Sequence, residues 1–228
     1  MRSRHPTVAI VLPFRNYERT LEAAIRSVLG QTYRALDLLL IDDGSTDASG
    51  EVARRYSPPA RYLRRAHGGA GAARNTGVAH AESELIAFCD ADDLWAESKL
   101  ERQMAVFRED PGIDVVFGSV SEFWASGRPE GLRPAREGVP GALPSAMLIR
   151  RAAFERVGPF AEGWRIGEWA EWFTRMRAAG LREVWLSEVL VARGLHPSSS
   201  GMVQRDARIE YPRLLRAHLH RLKERRGG

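Results

Sequence analysis

Short apolar runs alternate with segments of helical period along the first half of the chain. Residues 7–12 and 36–41 are nearly continuous in apolar side chains, the pattern of strands covered on both faces of a parallel sheet. Pro13 is expected to end the first of them. Between the two, Leu21, Ile25, Val28 and Leu29 recur at helical spacing, which predicts a helix over residues 18–30 with one face on the sheet and Gly30 at its end. A second helix, capped by Ser45 or Asp47, is expected to run to about Tyr56. A short strand at 61–64 follows. Residues 67–77 are rich in glycine and read as a loop entering a short helix, with Arg74 and Asn75 one turn in. Residues 85–89 form a third apolar run.

Beyond it the pattern predicts a helix over 98–108, a strand over 113–124 and a long loop over 125–143. An extended stretch at 145–150, a helix at 151–157 and a break at Gly158-Pro159 come next. Residues 168–179 are predicted as a helix ended by Gly180, and 183–192 as a strand. From about residue 203 to 226 a basic helix carries Leu214, Leu215, Leu219 and Leu222. Alternating strands and helices argue for an α/β fold with a mostly parallel sheet, in one domain. Such sheets bind ligands at the carboxyl ends of their strands.

Two of the predicted strands stop abruptly at carboxylates. One runs into Asp42-Asp43-Gly44-Ser45-Thr46-Asp47, the other into Asp90-Ala91-Asp92-Asp93. Like charges this close repel and raise one another's pKa values unless a cation or backbone donors stand nearby. A hard divalent ion, held by one or two carboxylates and by substrate phosphates, meets that need. Both clusters lie at carboxyl ends of strands, so they are expected to converge on one crevice. The glycine-rich segment is not a dinucleotide fingerprint, because Arg74 stands where glycine or alanine is required, and it lacks the Gly-Lys-Ser/Thr ending of a P-loop.

Composition narrows the partners. The 228 residues carry a formal charge of +5 and a pI near 9.8, compatible with nucleic acid, an anionic membrane or a phosphorylated small molecule. The arginines are scattered, and no zinc-finger or RNA-recognition spacing accompanies them, so nucleic acid is not expected. No apolar stretch has the length of a membrane span and the first residues lack a signal-peptide apolar region, which sets a cytoplasmic location as the expectation. The single cysteine, Cys89, falls in the presumed central strand and reads as a core residue in a reducing compartment.

Taken together, five segments resemble the family 2 glycosyltransferases, whose catalytic domain is the GT-A fold. They are Val11-Leu-Pro-Phe-Arg-Asn16, Ile25 to Tyr33, Ile41-Asp-Asp-Gly-Ser-Thr-Asp47, Gly71-Ala-Ala-Arg-Asn-Thr-Gly77 and Phe88-Cys-Asp-Ala-Asp-Asp-Leu-Trp95. A weaker match continues through Pro144 to Arg150 and ends at His196. The resemblance implies one GT-A domain over 1–228: a nucleotide-sugar-binding half at 7–110, an acceptor-binding half at 111–200, and the basic helix at 203–226. It implies transfer of a sugar from a nucleotide-sugar, UDP being the commonest nucleotide, to an acceptor hydroxyl with inversion. Asp43 then takes the position of the carboxylate that accepts a hydrogen bond from the nucleobase, with Asp42 beside it and Pro13, Phe14, Arg15 and Asn16 lining the same pocket. Arg74 and Asn75 add contacts to the nucleotide. Asp90-Ala91-Asp92 is the family's Asp-x-Asp motif, in which Asp92 and Asp90 hold Mg²⁺ or Mn²⁺ on the diphosphate. His196 resembles a late histidine that completes the metal site.

The base departs from the family pattern. Aligned on Arg175, the expected aspartate is Trp169, which cannot accept a proton, while Glu168 is adjacent and Glu171 lies three residues on. Glu168 and Glu171 are expected to share a helix face, and Glu168 is the preferred base. A catalytically degenerate nucleotide-sugar-binding or scaffolding protein is the alternative, and a nucleotidyltransferase a third reading that the Asp-Asp-Gly-Ser and Ala-Arg-Asn segments oppose. The acceptor is expected to touch residues 120–145 and the carboxyl-terminal third, with saccharides, lipid-linked carriers and peptide side chains all left open. The leucine-and-arginine tail suits either packing on the domain, the preferred reading, or peripheral contact with an anionic membrane.

Overall fold

The computed structural model describes residues 6–124, 137–164 and 167–195, and among them nine strands form one sheet. Strand β1 (Val8–Phe14) lies between β2 (Leu36–Asp42) and β4 (Leu85–Phe88), with β3 (Arg61–Arg64) beyond β2, and all four run parallel. This half is the parallel sheet expected from the sequence. From β4 the sheet continues through β8 (Met147–Arg150), β6 (Val115–Trp124) and β9 (Glu183–Leu195) to β5 (Leu94–Trp95), and β7 (Val139–Pro140) pairs with β6. In this second half only β6 and β9 are parallel. The sheet as a whole is therefore mixed: β8 runs antiparallel to β4 and β6, and β7 antiparallel to β6.

Helices α1 (Leu21–Leu29), α2 (Ser49–Arg54), α3 (Ala70–His80), α4 (Lys99–Glu109), α5 (Arg151–Val157) and α6 (Glu168–Ala178) cover the two faces. Alternation along β1 sorts the core into layers. Val8, Ile10 and Leu12 pack with Ile25 and Val28 of α1 and with Leu100 and Met104 of α4. Ala9 and Val11 face the other way, into a layer with Ala73 and Val78 of α3, Phe154 of α5 and Trp172 of α6. Helix α3 approaches β1 closely enough that a Cβ on Gly77 would overlap the Val11 side chain. No helix among the described residues is long and apolar enough to cross a membrane.

Pro13 does not end β1. The strand runs on to Phe14, with Pro13 opposite Ile41 of β2. The carbonyl of Val11 accepts the Cys89 amide, so the polar groups of Val11, and of Pro13 two residues on, face β4. That strand's pairing stops at Phe88 opposite Val11, so the proline's missing N–H deprives no neighbour of a bond.

Helix α4 fastens the two halves together. The Gln103 amide donates to the carbonyls of Val116 (3.0 Å) and Ala146 (2.8 Å). The fully buried Lys99 donates to Gln103 Oε1 at 2.9 Å and lies 3.9 Å from the centre of the Trp95 ring. Burial pulls its pKa down from 10.5 to about 7. The unfolded chain therefore holds a proton at Lys99 that the folded chain releases, so this lysine makes stability rise with pH between about 7 and 10.5. Burial raises the Cys89 thiol and the Asp93 carboxyl, and groups shifted upward in this way act with the opposite sign. The difference in unfolding free energy between the native chain and Lys99→Met isolates the lysine. It should grow in favour of the native chain by up to about 1.4 kcal/mol per pH unit above pH 7, as read by urea titration across that range; a flat difference would place the ammonium in water.

Candidate active site

The carboxyl ends of β1, β2 and β4 carry the site. After β2 the chain turns at Gly44, whose φ is +78°. Asp42 is fully buried in this turn, its carboxylate accepting the Ser45 amide at 2.7 Å and the Tyr62 hydroxyl at 2.8 Å. Both oxygens are engaged inside the fold, so Asp42 braces the turn beside the pocket in which the sequence expects it. Asp43 faces the other way and gathers the start of the glycine-rich loop. Its carboxylate accepts the amides of Gly68 (3.0 Å) and Gly69 (2.8 Å) and meets His67 Nδ1 at 2.7 Å, with Arg65 at 3.4 Å. Pro13 and Phe14 are buried behind this wall, whereas Arg15 and Asn16 stand exposed on its rim. The Asn16 side chain accepts the Thr46 amide at 2.8 Å and its backbone donates to Ser45 at 3.2 Å, so the ends of β1 and β2 are laced together. Asp47, rather than Ser45, accepts the Ser49 amide that opens α2.

At the end of β4 the acidic turn is held from three sides. The Asp90 amide donates to the Ser145 hydroxyl oxygen at 2.9 Å, and Asp93 accepts the Gly194 amide at 3.2 Å. Ala91 and Asp93 are buried, while Asp90 and Asp92 are half-buried. The Asp92 backbone presses against Gly194 so closely that any Cβ there would collide with it. Burial, and then the charges of Asp90 and Asp92, hold the Asp93 carboxyl well above the usual range. Burial and the same three carboxylates raise the Tyr17 hydroxyl. A negative field built from oxygen donors alone suits a hard divalent cation, with Asp90 and Asp92 the carboxylates placed to hold it. Among the described residues no three His, Cys, Asp or Glu side chains form a complete cage. His196 and the basic segment 203–226 lie outside the described residues.

Arg74 closes the arrangement. It sits on α3, only 4% exposed, and donates to Asp90 at 2.7 Å through one terminal nitrogen and to Glu168 at 2.9 Å through the other. The two carboxylates outweigh the cost of burial and raise the guanidinium pKa. Glu168 opens α6 after Gly167, whose φ of +90° turns the chain, and Gly71 of α3 leaves room for the Glu168 side chain to approach. Asn75, next to Arg74, points away from the crevice. Its amide donates to the Phe160 carbonyl and accepts the Phe160 amide, both at 2.9 Å, so it pins the loop before α6; this corrects its expected contact with the nucleotide.

Glu171 does not join Glu168. It is 5% exposed and pairs with Arg175 Nε through both oxygens at 3.0 Å, while Arg175 also donates to the carbonyls of Val157 and Pro159. Glu171 lies on the same helix face as Glu168 and as Arg175, and the pairing with Arg175 makes it a clamp between α6 and the loop after α5. Trp169 stacks on Trp172 with ring centres 5.5 Å apart, and its indole donates to the Ala142 carbonyl at 2.8 Å. It thus ties α6 to the stretch before β8. His67 and Ser145 went unremarked as site residues in the sequence. Their only signals are adjacency to a glycine pair and to a proline.

A family model described as glycosyl transferase family 2 matches residues 9–158. The chain belongs to that family. Over 115 residues it is 38% identical to an Escherichia coli protein named UDP-Glc:alpha-D-GlcNAc-diphosphoundecaprenol beta-1,3-glucosyltransferase WfgD, a match covering 49% of this chain and 45% of that protein. The chain spans less than half the length of the curated relatives it matches. Among solved structures, Staphylococcus aureus TarS in complex with UDP-GlcNAc superposes with a TM-score of 0.73 at 18% identity, covering 85% of this chain and 60% of that one. The mannosyltransferase PcManGT of Pyrobaculum calidifontis, in complex with GDP-Man and Mn²⁺, gives 0.70 at 18% identity, covering 97% and 65%. At such identities the likeness is one of fold, and the fold is GT-A.

In a family 2 glycosyltransferase with Glu171 as a clamp, Glu171→Gln should weaken the grip on Arg175. We expect a loss of about 1–3 kcal/mol in stability, with donor turnover per folded molecule kept within about threefold. Urea unfolding and nucleoside diphosphate release measure the two; a collapse in turnover at unchanged stability would return Glu171 to the chemistry.

Proposed function

We propose that this chain transfers a sugar from a nucleotide-sugar to an acceptor hydroxyl, with inversion and with a divalent cation. The observation that carries the reading is the meeting of Asp90 and Glu168, from opposite halves of the sequence, on one buried guanidinium. This meeting supports a reading in which Glu168 abstracts the proton beside an acidic turn that binds a metal diphosphate. The nucleoside lies against the wall made by Asp43, His67 to Gly69 and the end of β1. The complexes of TarS with UDP-GlcNAc and of PcManGT with GDP-Man and Mn²⁺ support a donor of this class.

Asp90 and Asp92 would hold Mg²⁺ or Mn²⁺, which when bound offsets charge on the departing diphosphate. Glu168 Oε1 is fixed by Arg74, while Oε2 has no hydrogen bond among the described residues. Oε2 takes the proton of the acceptor hydroxyl as its oxygen attacks the anomeric carbon. The bond from that carbon to the diphosphate oxygen breaks on the far side, and the nucleoside diphosphate leaves with the electron pair. The acceptor enters past residues 120–145 and the carboxyl-terminal third, and the reaction belongs in the cytoplasm, where nucleotide-sugars are at hand.

Thermal unfolding with UDP-glucose, UDP-N-acetylglucosamine and GDP-mannose, each with and without Mn²⁺, tests the donor site. One of them at 100 times its dissociation constant should stabilise the native chain by about 2.7 kcal/mol, only with metal, and Asp92→Asn should lose the effect. Glu168→Gln should keep the stabilisation and lower donor turnover by about 100-fold or more. A panel without effect on the native chain overturns the transferase reading.

A further inference from the structure

Arg74 has three features that a ligand-binding arginine would not combine. It is almost wholly buried, each of its terminal nitrogens donates to a carboxylate of the protein, and its guanidinium carbon lies 5.6 Å from the centre of the Phe160 ring. The two carboxylates come from the acidic turn after β4 and from the first residue of α6. A planar fork with both arms occupied fixes the distance and angle between them. The geometry points to Arg74 as a positioning residue that acts through Glu168: it sets the base at a fixed place relative to the Asp-x-Asp turn and leaves Oε2 as the working oxygen. This rests on the proposed base and donor site, and it replaces the direct contact with the nucleotide that the sequence suggests for Arg74.

The roles separate in binding and in turnover. A residue contacting the diphosphate would show in donor affinity. A residue that orients the base leaves affinity alone and shows in turnover, only while Glu168 is present to be oriented. Lysine keeps the charge beside Asp90, but a single ammonium on a flexible stem cannot hold two carboxylates in a fixed relation.

The experiment compares the native chain, Arg74→Lys, Arg74→Gln, Glu168→Gln and the Arg74→Lys/Glu168→Gln double variant. Calorimetry with UDP and with GDP, each in Mn²⁺, gives affinity; hydrolysis of UDP-N-acetylglucosamine and of GDP-mannose gives turnover, with water standing in for the acceptor; thermal midpoints report folding. For Arg74→Lys we expect affinity within about threefold of native and turnover down by about 100-fold. In the Glu168→Gln background the same change should cost less than about threefold, because a residue acting through Glu168 has nothing left to orient. If Arg74→Gln does not fold, Arg74→Lys and the cycle still decide the matter. Equal losses of affinity and turnover overturn the positioning role and restore the nucleotide contact. Equal losses of turnover in both backgrounds show a merely structural arginine. A native chain that binds neither nucleotide overturns the donor site itself, and this inference with it.

Discussion

Three carboxylates placed within four residues at the end of a buried strand set the terms for the rest of the structure. Left to itself the turn after β4 would expel its own charge, and Asp93 shows the strain, its carboxyl held well above the ordinary range by burial and by Asp90 and Asp92. The fold answers with two fixed donors, the Gly194 amide and the Arg74 guanidinium, and with the Ser145 hydroxyl oxygen, which accepts the Asp90 amide. Each comes from a different part of the chain. Ser145 is held by the turn that Gln103 of α4 grips at Ala146, Gly194 ends β9, and Arg74 projects from α3. The acidic turn is thus the point at which both halves of the sheet are tied.

Neighbouring residues of the same chemistry divide between holding the fold and facing the crevice. Asp42 braces its own turn while Asp43 gathers the glycine-rich loop. Arg74 faces the carboxylates while Asn75 pins Phe160. Glu168 reaches Arg74 while Glu171 closes on Arg175. Successive residues on a strand point to opposite sides and those on a helix are rotated by about 100°, so Asp42 and Asp43, and Arg74 and Asn75, look into different spaces. Glu168 and Glu171 share a helix face, and there the division comes from their partners, Arg74 for one and Arg175 for the other.

This division explains how much the sequence discloses. The strands of the parallel half are legible because local burial on both faces writes itself as continuous apolar runs, and the two acidic turns are legible because charge cannot be hidden in such a run. The positions of Arg74 and Glu168 on helices are likewise local facts. Their meeting is not, since it depends on α3 and α6 packing at Gly71, far from Glu168 in sequence. The same holds for the mixed order of the second half, where β6, β7, β8 and β9 pair between segments distant in sequence. Pro13 misleads for a related reason: its effect depends on whether a neighbouring strand needs its donor, and β4 ends too soon to need it.

Both acidic turns follow strands directly, yet each is braced from afar. The turn after β4 is held by Arg74, Ser145 and Gly194, and the turn after β2 by Tyr62 and the start of the glycine-rich loop. The Trp169 indole on the Ala142 carbonyl likewise joins α6 to the stretch before β8. Arg74 has one arm on the acidic turn and the other on the first residue of α6, so under the proposed function it is the residue through which the metal-binding turn and the base would be held in register.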